Sequence, residues 1–484
     1  MIDPQEFTWQ SERYRRQRIT SWDEVAEHKS IHGSASTSYH RRLQEIYQFH
    51  VASGQRVIEI GCSEGDLLAS THPSYGLGID FSANMIQRAR QRHPELDFVC
   101  ADGLSFTAEE PFDVIILSDL VNDIWDVQTL LEHIRSYSHK GSRLIINYYS
   151  RLWTPVLKLA GVFGLAQQLL EQSWLVKQDI QNLLGLAGFE VIFASNEVLL
   201  PLPFPLIEDF CNQFLVRLWP FNHLALTNLV IARPRPGLFD QPISKPPSVT
   251  VVVPARNEAG NIQNIFERLP RMGSRTELLF VEGNSKDDTY QEIERQIQLH
   301  PDVESKLFKQ TGKGKGDAVR LGFQQAQGDI LMVLDADLTV PPEYLPRFYQ
   351  ALVSGTGEFI NGVRLVYPME KQAMRLANFL GNKFFSLAFS WLLGQPVKDT
   401  LCGTKVLYKE DYLKIANNRA YFGDFDQFGD FDLLLGAAKL HLKIVDLPIR
   451  YNERTYGTTN IQRWKHGWLL LRMACFAAFR LKFK

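Results

Sequence analysis

Two aspartates separated by a single residue, Asp335 and Asp337, form the pattern with the clearest chemical use in this sequence. Carboxylate oxygens are hard ligands that suit Mg²⁺ or Mn²⁺. A divalent cation held by such a pair can absorb the negative charge that develops on a sugar diphosphate leaving group. An Asp-x-Asp pattern alone is weak, since it is common at strand ends and turns. Its meaning therefore depends on the residues around it.

The element that must position this pair is a short apolar run, residues 329–334. Such a run predicts a buried strand of a parallel sheet. Open α/β sheets bind their ligands beyond the carboxyl ends of their strands. The strand would therefore bring both carboxylates to the ligand-binding edge of the sheet.

A glycine-containing turn in the first half of the chain, Gly61-Cys62-Ser63-Glu64-Gly65, is a second candidate site. It follows a predicted strand at residues 56–60, and its glycines let the backbone turn tightly and approach a ligand. Later predicted strands of this half end in acids, at Asp80, Asp102 and Asp119. Strands that alternate with helices predict a doubly wound parallel sheet.

Residues 35–235 resemble the class I S-adenosylmethionine-dependent methyltransferases. The first motif of that family, Glu/Asp-x-Gly-x-Gly-x-Gly, matches the run from Glu59 to Gly65, with Ser63 in place of the middle glycine. The predicted strands at 188–192 and 226–232 fit the hairpin that closes the family's sheet, and the insert between them is expected to be core or to cover the acceptor pocket. Two alternatives stay open, a dinucleotide-binding sheet, although Gly-x-Gly-x-x-Gly is absent, and a degenerate site on a scaffold domain.

This resemblance implies S-adenosylmethionine as the cofactor, with the binding residues Glu59, Gly61, Gly65, Asp80, Asp102 and Asp119. Gly61 and Gly65 would border the methionine part. Asp80 would accept hydrogen bonds from both ribose hydroxyls, Asp102 would receive the adenine amino group, and Asp119 would face the methyl acceptor. No catalytic base is evident, and in-line placement of acceptor and methyl group does not require one.

The composition is that of an ordinary globular protein, with 45% hydrophobic and 22% charged residues among 484. This length predicts two or more domains. The net charge of −2 gives no reason to expect binding to nucleic acid. The five cysteines lack zinc-site spacing and are odd in number, so a reducing cytosol is expected. We expect no signal peptide and no membrane span, since no stretch reaches about twenty consecutive apolar residues.

The join between the halves is rich in proline, with five prolines between Arg233 and Pro247. Proline cannot continue a helix or a central strand, so this stretch predicts a semi-rigid linker. The expected division is a methyltransferase-like domain at 1–235, the linker at 236–247, a second domain at 248–455 and a C-terminal helix at 456–484.

The second domain resembles the inverting family 2 glycosyltransferases of GT-A fold over nearly all of residues 248–455. The matching segments, in order, are residues 249–258, 277–289, 312–316 and 329–337. The likeness is greatest to the branch that contains dolichyl-phosphate mannose and glucose synthases. Each segment alone is ambiguous, and only their joint order supports the resemblance. The expected fold class is α/β, with two doubly wound domains, a Rossmann-like methyltransferase followed by a GT-A glycosyltransferase.

The second resemblance implies a nucleotide-sugar donor bound by Pro254, Arg256, Glu258, Glu282, Lys313, Lys315 and Asp335. Mg²⁺ or Mn²⁺ would bind to Asp335 and Asp337. Glu282 would reach the nucleobase. Either Lys315 or Lys313 would pair with the diphosphate, and the glycines beside them would let the backbone approach it.

Transfer with inversion to a hydroxyl needs a carboxylate base near the acceptor, and the candidates are Asp432, Asp430 and Asp399. Asp430 and Asp432 come just before a predicted helix, where an acid can stabilise the helix terminus without any chemistry. A lipid phosphate acceptor is already anionic and would need no base. Its phosphate partners would then be Arg450, Arg454 and Lys405.

Basic and large apolar residues are interleaved in the C-terminal tail, and no acid occurs after Glu453. This pattern suits a helix in the headgroup layer of an anionic membrane, with a second apolar segment, 384–393, alongside it. The alternative is a terminal helix docked on its own core. We therefore expect a cytoplasmic protein with a peripheral contact to the inner face of the cell membrane.

Together these patterns predict a bifunctional transferase of cell envelope glycan synthesis. The first domain would transfer a methyl group from S-adenosylmethionine. The second would transfer a sugar with inversion from a nucleotide sugar to a lipid-phosphate or glycan acceptor. The alternatives are a processive polysaccharide synthase with methyl decoration, and a scaffold with an inactive methyltransferase half.

Overall fold

A computed structural model of the chain describes residues 4–27, 34–162, 170, 173, 175–237, 245–364, 376–421, 429–452, 454, 456 and 463–484. The chain divides into two compact units, with the division between Phe239 and Asp240. Among the described residues, each unit contains one seven-stranded sheet. Residues 238–244, the middle of the predicted linker, lie outside the described residues.

The sheet of the first unit has the order β3-β2-β1-β4-β5-β7-β6. Its strands are β1 Arg56–Ile60, β2 Tyr75–Asp80, β3 Asp97–Cys100, β4 Phe112–Ser118, β5 Ser138–Tyr149, β6 Phe189–Glu197 and β7 Thr227–Pro234. Strand β7 runs antiparallel to β5 and β6, whereas the other pairs are parallel. The predicted closing hairpin is therefore confirmed, and its strand β7 is the antiparallel member of an otherwise parallel sheet. The winding reverses between β1 and β4, which is where such sheets bind ligands.

Helices cover both faces of this sheet because neighbouring residues of each buried strand point to opposite sides. In β1, Val57 joins the core on one face and Ile58 joins the core on the other. The helices are α1 Pro4–Glu27, α2 Ser34–His50, α3 Asp66–Ser70, α4 Ala83–Arg92, α5 Val127–Ile134, α6 Thr154–Val162, α7 Lys177–Leu186 and the single turn α8 Ile207–Asp209. A π-helical turn covers Phe210–Phe214, and 3₁₀ turns cover Arg135–Tyr137, Arg151–Trp153, Leu215–Arg217 and Phe221–Leu224.

The insert between β6 and β7 corrects one expectation. Much of its apolar surface is exposed rather than core, and the exposed residues include Leu206 at 83% and Trp219 at 79%. The insert is held by Asn212, whose side chain accepts from the backbone N–H groups of Leu199 and Leu200. Polar anchoring of this kind fixes the backbone of the insert without burying its apolar side chains.

The sheet of the second unit has the order β10-β9-β8-β11-β13-β12-β14. Its strands are β8 Val249–Ala255, β9 Thr276–Glu282, β10 Ser305–Lys309, β11 Ile330–Val333, β12 Phe359–Val363, β13 Lys405–Tyr408 and β14 Ile444–Pro448. Strand β13 is antiparallel to β11 and β12. Strands β8 to β11 are parallel, so their carboxyl ends lie at one edge.

Two hydrophobic cores sandwich this second sheet, and in β8 Val251 and Val252 point to opposite ones. The helices are α9 Ala259–Arg268, α10 Thr289–Leu299, α11 Lys315–Gln325, α12 Leu345–Val353, α13 Leu376–Leu393, α14 Lys409–Asn417, α15 Asp430–Lys439 and α16 Arg463–Ala477. A π-helical turn covers Ala478–Lys482, and 3₁₀ turns cover Pro342–Tyr344 and Arg419–Tyr421. Within the described residues, no helix combines the length and the apolar character that crossing a membrane requires.

Candidate active sites

The turn after β1 requires its glycines. Gly61 and Gly65 have φ values of 76° and 79°, in the left-handed region that favours glycine. A Cβ atom on Gly65 would lie 2.7 Å from the ring of Phe98, and one on Gly61 would lie 2.9 Å from Leu120 Cδ1. Both positions therefore need glycine for conformation and for space, and a ligand can approach the bare backbone there.

The carboxylate of Asp80 holds this turn in place at the end of β2. Its Oδ2 accepts from the backbone N–H of Ser63 at 3.0 Å, and its Oδ1 accepts from the N–H of Ser82 at 2.9 Å. Burial raises the pKa of Asp80, and these two hydrogen bonds oppose the shift. A carboxylate has about four acceptor positions, so capacity for two hydroxyl donors is left.

Glu59, on β1 beside the same turn, is a buried acid at 2% exposure. Burial raises its pKa well above the ordinary value. Its Oε2 is buried and has no hydrogen-bond partner among the described residues. An unsatisfied buried carboxylate oxygen is costly, so a donor from a bound ligand would stabilise it.

Asp102 follows β3 and already has two partners. Its Oδ2 pairs with Arg15 Nε of α1 at 2.8 Å, and its Oδ1 accepts from the backbone N–H of Leu104 at 2.9 Å. An incoming amino group would have to share one of these oxygens. An ion pair with α1 therefore already occupies the acid at which the adenine was expected.

Asp119, after β4, lies at the centre of a polar and aromatic cluster. Tyr39 of α2 donates its hydroxyl to both carboxylate oxygens, at 3.0 and 2.9 Å, and Asn147 Nδ2 donates to Oδ1 at 2.6 Å. The rings of Tyr39 and Tyr149 lie 5.9 Å apart, and Tyr47 donates to Asn147 Oδ1 at 2.7 Å. Burial raises the pKa of Asp119 to about 7, and hydrogen bonds from Tyr39, Tyr149 and Asn147 oppose the shift. This carboxylate can therefore accept a proton near neutral pH.

In the second unit, Asp335 lies just beyond β11 and pairs with Lys315 at the start of α11. Their Nζ and Oδ1 atoms are 2.6 Å apart. Burial alone would raise the pKa of Asp335, but the positive charges of Lys315, Arg364 and Lys405 outweigh it and lower the pKa. A Cβ atom on Gly403 would collide with both Asp335 Oδ2 and Lys315 Nζ, so a glycine keeps this space open.

Asp337 faces a different cation. Its Oδ2 lies 2.6 Å from Arg454 Nη2, and Arg454 Nη1 lies 3.0 Å from Glu258 Oε1. The other oxygen of Asp337 accepts from the N–H and the hydroxyl of Thr339, at 3.1 and 2.8 Å. Burial raises the pKa of Glu258 to about 7, and Arg454 opposes the shift. Arg454 therefore bridges two acids at the edge of the sheet.

The remaining predicted donor-site residues lie at strand ends and on the segments that follow them at this edge. Pro254 is the penultimate residue of β8, Arg256 directly follows that strand and is exposed, and Glu282 ends β9. Glu282 is 1% exposed, and its carboxylate accepts from the N–H of Ser285 at 2.5 Å, so it braces the loop. Lys313 is exposed, whereas Lys315, two positions later, pairs with Asp335.

The predicted pair Asp335 and Asp337 fits a divalent cation by its chemistry, because Mg²⁺ commonly binds through one or two carboxylates together with substrate phosphates. Among the described residues, no group of three or more His, Cys, Asp or Glu side chains is placed to hold a metal ion. The cation would therefore depend on the diphosphate for further ligands.

Family models match both units. The model "Glycosyl transferase family 2" matches residues 250–415, and the model "Methyltransferase domain" matches residues 52–194. The chain joins a methyltransferase domain to a family 2 glycosyltransferase domain. The predicted family resemblances and the predicted α/β fold class are thereby confirmed.

Similar proteins are found for the glycosyltransferase domain. A dolichol-phosphate mannosyltransferase of Pyrococcus furiosus is 33% identical over 22% of this chain and 31% of its own length. The enzyme of that name from Saccharomyces cerevisiae is 36% identical over 21% of this chain and 40% of its own length. The matches thus span well under half of these relatives. Glucosyl-3-phosphoglycerate synthase of Mycobacterium tuberculosis, solved with Mn²⁺ and UDP, has a TM-score of 0.36 and 16% identity, covering 49% of this chain and 81% of that chain.

The three candidate bases of the glycosyltransferase domain differ in setting. Asp399 is 2% exposed and forms a two-point ion pair with Arg364, with Oδ2 2.7 Å from Nε and Oδ1 2.9 Å from Nη2. Burial alone would raise its pKa, but Arg364 outweighs burial and lowers it. Asp432, in the first turn of α15, lies 2.9 Å from Arg419 Nε, and the side chain of Asp430 lies outside the described residues. Asp399 is therefore a poor proton acceptor, and Asp432 stays a prediction.

Several residues of these sites were missed by the sequence analysis. In the methyltransferase domain, Asn147 and Tyr149 end β5, and the rule that led to the acids at other strand ends would have singled them out. Tyr39 gave no such signal, because it comes from a helix eighty positions away from Asp119. In the glycosyltransferase domain, Arg364 directly follows β12, so the same rule about strand ends would have singled it out.

Proposed function

We propose that the chain is a bifunctional transferase. Its methyltransferase domain would use S-adenosylmethionine, and its glycosyltransferase domain would move a sugar with inversion from a nucleotide sugar to a polyprenyl phosphate or glycan. One observation carries the proposal: each domain has its own sheet whose carboxyl edge bears its own acids, and each is matched by its own family model.

In the methyltransferase domain, the residues present fit the proposed cofactor. The bare backbone at Gly61 and Gly65 leaves room for it, and Asp80 keeps capacity for two hydroxyl donors. The unsatisfied Oε2 of Glu59 fits an ammonium donor, directly or through water. When bound, S-adenosylmethionine supplies an electrophilic methyl group on a sulfonium. The residues of the chain would orient it and shield it from water.

Asp119 supplies what a hydroxyl or amine acceptor needs, a group that takes a proton. Its carboxylate would accept the acceptor's proton as the acceptor bonds to the methyl carbon and the bond from that carbon to the sulfonium sulfur breaks, which leaves a neutral thioether. Tyr39 and Asn147 would hold that carboxylate in place through their hydrogen bonds. Asp119 therefore belongs to the acceptor side of the site in this proposal.

In the glycosyltransferase domain, the proposed diphosphate would lie beside Asp335 and Asp337. Lys315, which pairs with Asp335, could turn to a phosphate oxygen bound beside it. Lys405, which is buried, and Arg364, which is largely buried, add positive charge nearby. A divalent cation, Mg²⁺ or Mn²⁺, would neutralise the charge of the leaving diphosphate when bound at the two aspartates. The relatives named dolichol-phosphate mannosyltransferase support a polyprenyl phosphate as the acceptor.

The acceptor decides whether this domain needs a base. A phosphate oxygen is already anionic, so Asp432 would be dispensable for a lipid phosphate and required for a glycan hydroxyl. We also propose a reducing, cytoplasmic location at the inner face of the membrane. The five cysteines support it, because all of them are free.

Calorimetric titration of the full chain tests the two cofactor assignments separately. We expect Asp80→Asn to lose binding of S-adenosylmethionine and keep binding of a nucleotide sugar in the presence of Mn²⁺. Asp337→Asn should show the opposite pattern, so each variant is the control for the other. If the wild-type chain bound neither ligand, the proposal would be wrong.

Mass spectrometry of the lipid and glycan pool, with and without the protein, is a second experiment. It would reveal whether the sugar and the methyl group are added to one molecule.

A further inference from the structure

Two helices of the glycosyltransferase domain expose large apolar side chains at helical spacing. In α13, Phe384, Leu387 and Trp391 are 57%, 65% and 41% exposed. In α16 and the π-helical turn after it, Trp468, Leu471 and Phe479 are 68%, 38% and 62% exposed. Residues three, seven or eleven positions apart share one face of a helix, so each set forms a stripe. We call the six residues the apolar stripes.

The opposite faces of the same helices already contribute to the core. In α13 the core residues are Phe389, Leu392 and Leu393, and in α16 they are Met473, Ala474 and Ala477. A terminal helix docked on its core accounts for these residues but leaves the apolar stripes exposed. Each helix therefore packs on the core with one face and exposes the other. Of the two alternatives expected from sequence, docking on the core describes the first face and a surface helix describes the second.

The two helices form one surface. They contact each other, and the π-helical turn also contacts α13. Lys482 Nζ lies 5.3 Å from the centre of the Trp391 ring, so the end of the tail reaches the stripe of α13. Trp residues together with Lys and Arg are enriched in helices that lie at the boundary between a bilayer and water.

The charge of this surface has a single sign. From residue 463 to the C terminus the sequence has six Lys and Arg residues and no acid, and between Glu370 and Asp399 it has no acid. Arg472 is exposed beside Leu471, and Lys383 is exposed beside Phe384. Cations that flank exposed apolar side chains complement the headgroups of anionic lipids.

We infer that α13 and α16 together dock the glycosyltransferase domain on an anionic lipid bilayer, with the apolar stripes in the headgroup layer. A second copy of the chain fits this surface less well, because a symmetric contact would bring like charges together. The inference joins the two segments expected from sequence, the tail helix and residues 384–393, into one surface on helices that contact each other. It concerns lipid binding alone, so it stands apart from the identity of the sugar acceptor.

Vesicle cosedimentation of the full chain, with neither donor nor cofactor added, tests the inference. We expect binding to phosphatidylcholine vesicles that contain phosphatidylglycerol, and binding about tenfold weaker to phosphatidylcholine alone. Leu387→Ser and Trp468→Ser should each weaken binding to the anionic vesicles by about tenfold. Arg472→Gln should weaken it less and reduce its dependence on salt.

Leu299→Ser and Leu413→Ser are matched controls, since these residues of the same domain are 58% and 50% exposed but lie on other helices. They should bind vesicles as the wild type does. Equal binding to neutral and anionic vesicles, no binding to either, or unchanged binding of the Leu387 and Trp468 variants would overturn the inference. The inference would also be overturned if the wild type formed a dimer and the Leu387 and Trp468 variants lost that dimer while keeping vesicle binding. Calorimetric binding of a nucleotide sugar is a separate readout, so failure of the proposed function would be distinguishable.

Discussion

Arg454 and Asp337 are joined through Nη2 and Oδ2 at 2.6 Å, so the second acid of the Asp-x-Asp pair already has a cationic partner. The same guanidinium reaches Glu258 at 3.0 Å. A divalent cation that binds at Asp337 must compete with this side chain. Arg454 is then available to another anion, and the nearest one in the proposed reaction is a phosphate.

We expect a divalent cation to bind more tightly when Arg454 no longer competes with it for Asp337. Arg454→Gln should bind Mn²⁺ up to about fivefold more tightly in the absence of nucleotide, since a partly exposed ion pair contributes about 1 kcal/mol at most. Titration of Mn²⁺ followed by electron paramagnetic resonance measures this. Arg268→Gln is the control, because Arg268 pairs with Glu343 elsewhere on this domain. Equal Mn²⁺ affinity in wild type and Arg454→Gln would contradict the competition.

Asp337→Asn should abolish sugar transfer and donor hydrolysis. Loss of one charge-stabilising group at a transition state costs about a hundredfold or more in rate. A radiolabelled nucleotide-sugar assay measures both activities. Asp329→Asn is a suitable control, because Asp329 precedes the same strand but bonds to Ser248 at its opposite end. Full wild-type activity after chelation of divalent metal would remove the role assigned to Asp337.

The two lysines of the glycine loop are expected to differ. Lys315→Gln should weaken binding of a nucleoside diphosphate by about tenfold, because a hydrogen bond between charged groups contributes about 1.5 kcal/mol or more. Lys313→Gln should change it by less than about twofold, since exposed charges interact weakly. Calorimetry with a panel of nucleoside diphosphates measures both variants. The assignment of Lys315 fails if the two variants lose affinity equally.

Asp119 should make the stability of the methyltransferase domain depend on pH. Its pKa is raised from 3.8 to about 7, so between these values the folded state binds more protons than the unfolded state. The free energy of unfolding contributed by this group therefore falls as the pH rises through that window. In Asp119→Asn that slope is absent, so the Tm of the variant minus that of the wild type should become more positive as the pH rises.

Thermal melts of the full chain across this window measure that difference. Tyr39→Phe is the companion variant, because the hydrogen bond from Tyr39 opposes the raised pKa. Its loss should move the upper end of the window to higher pH. A difference in Tm between Asp119→Asn and wild type that does not change with pH would refute the raised pKa.

Asp399→Asn is expected to act on stability first. It leaves Arg364, whose side chain is 13% exposed, without its charged partner, which costs up to about 3 kcal/mol. Chemical denaturation of the full chain measures the loss. Asp432→Asn is the comparison, and it should reduce transfer only if the acceptor is a hydroxyl. An Asp399→Asn variant of wild-type stability with no transfer activity would restore Asp399 as a candidate base.

Much of each site could be predicted from local sequence. Apolar runs such as 329–334 and 56–60 predict buried strands by length and composition, and the residues that follow them lie at the ligand-binding edge of a parallel sheet. This rule found Asp80, Asp119 and Asp335 without any knowledge of packing. It does not reveal which charges are already paired. Asp399 and Asp432 were both predicted as candidate bases, yet each carboxylate is paired with an arginine, Arg364 and Arg419 respectively.

The sequence by itself determined the two sheets, the glycine turn, the acids at the strand ends and the basic, apolar tail, because strand period, glycine geometry and charge are properties of neighbouring residues. Only the tertiary structure decided which side chains meet. Tyr39 reaches Asp119 and Arg454 reaches Asp337 across 80 and 117 positions of the chain. Contacts of that separation depend on how the helices pack on the sheets, and no short-range pattern encodes them.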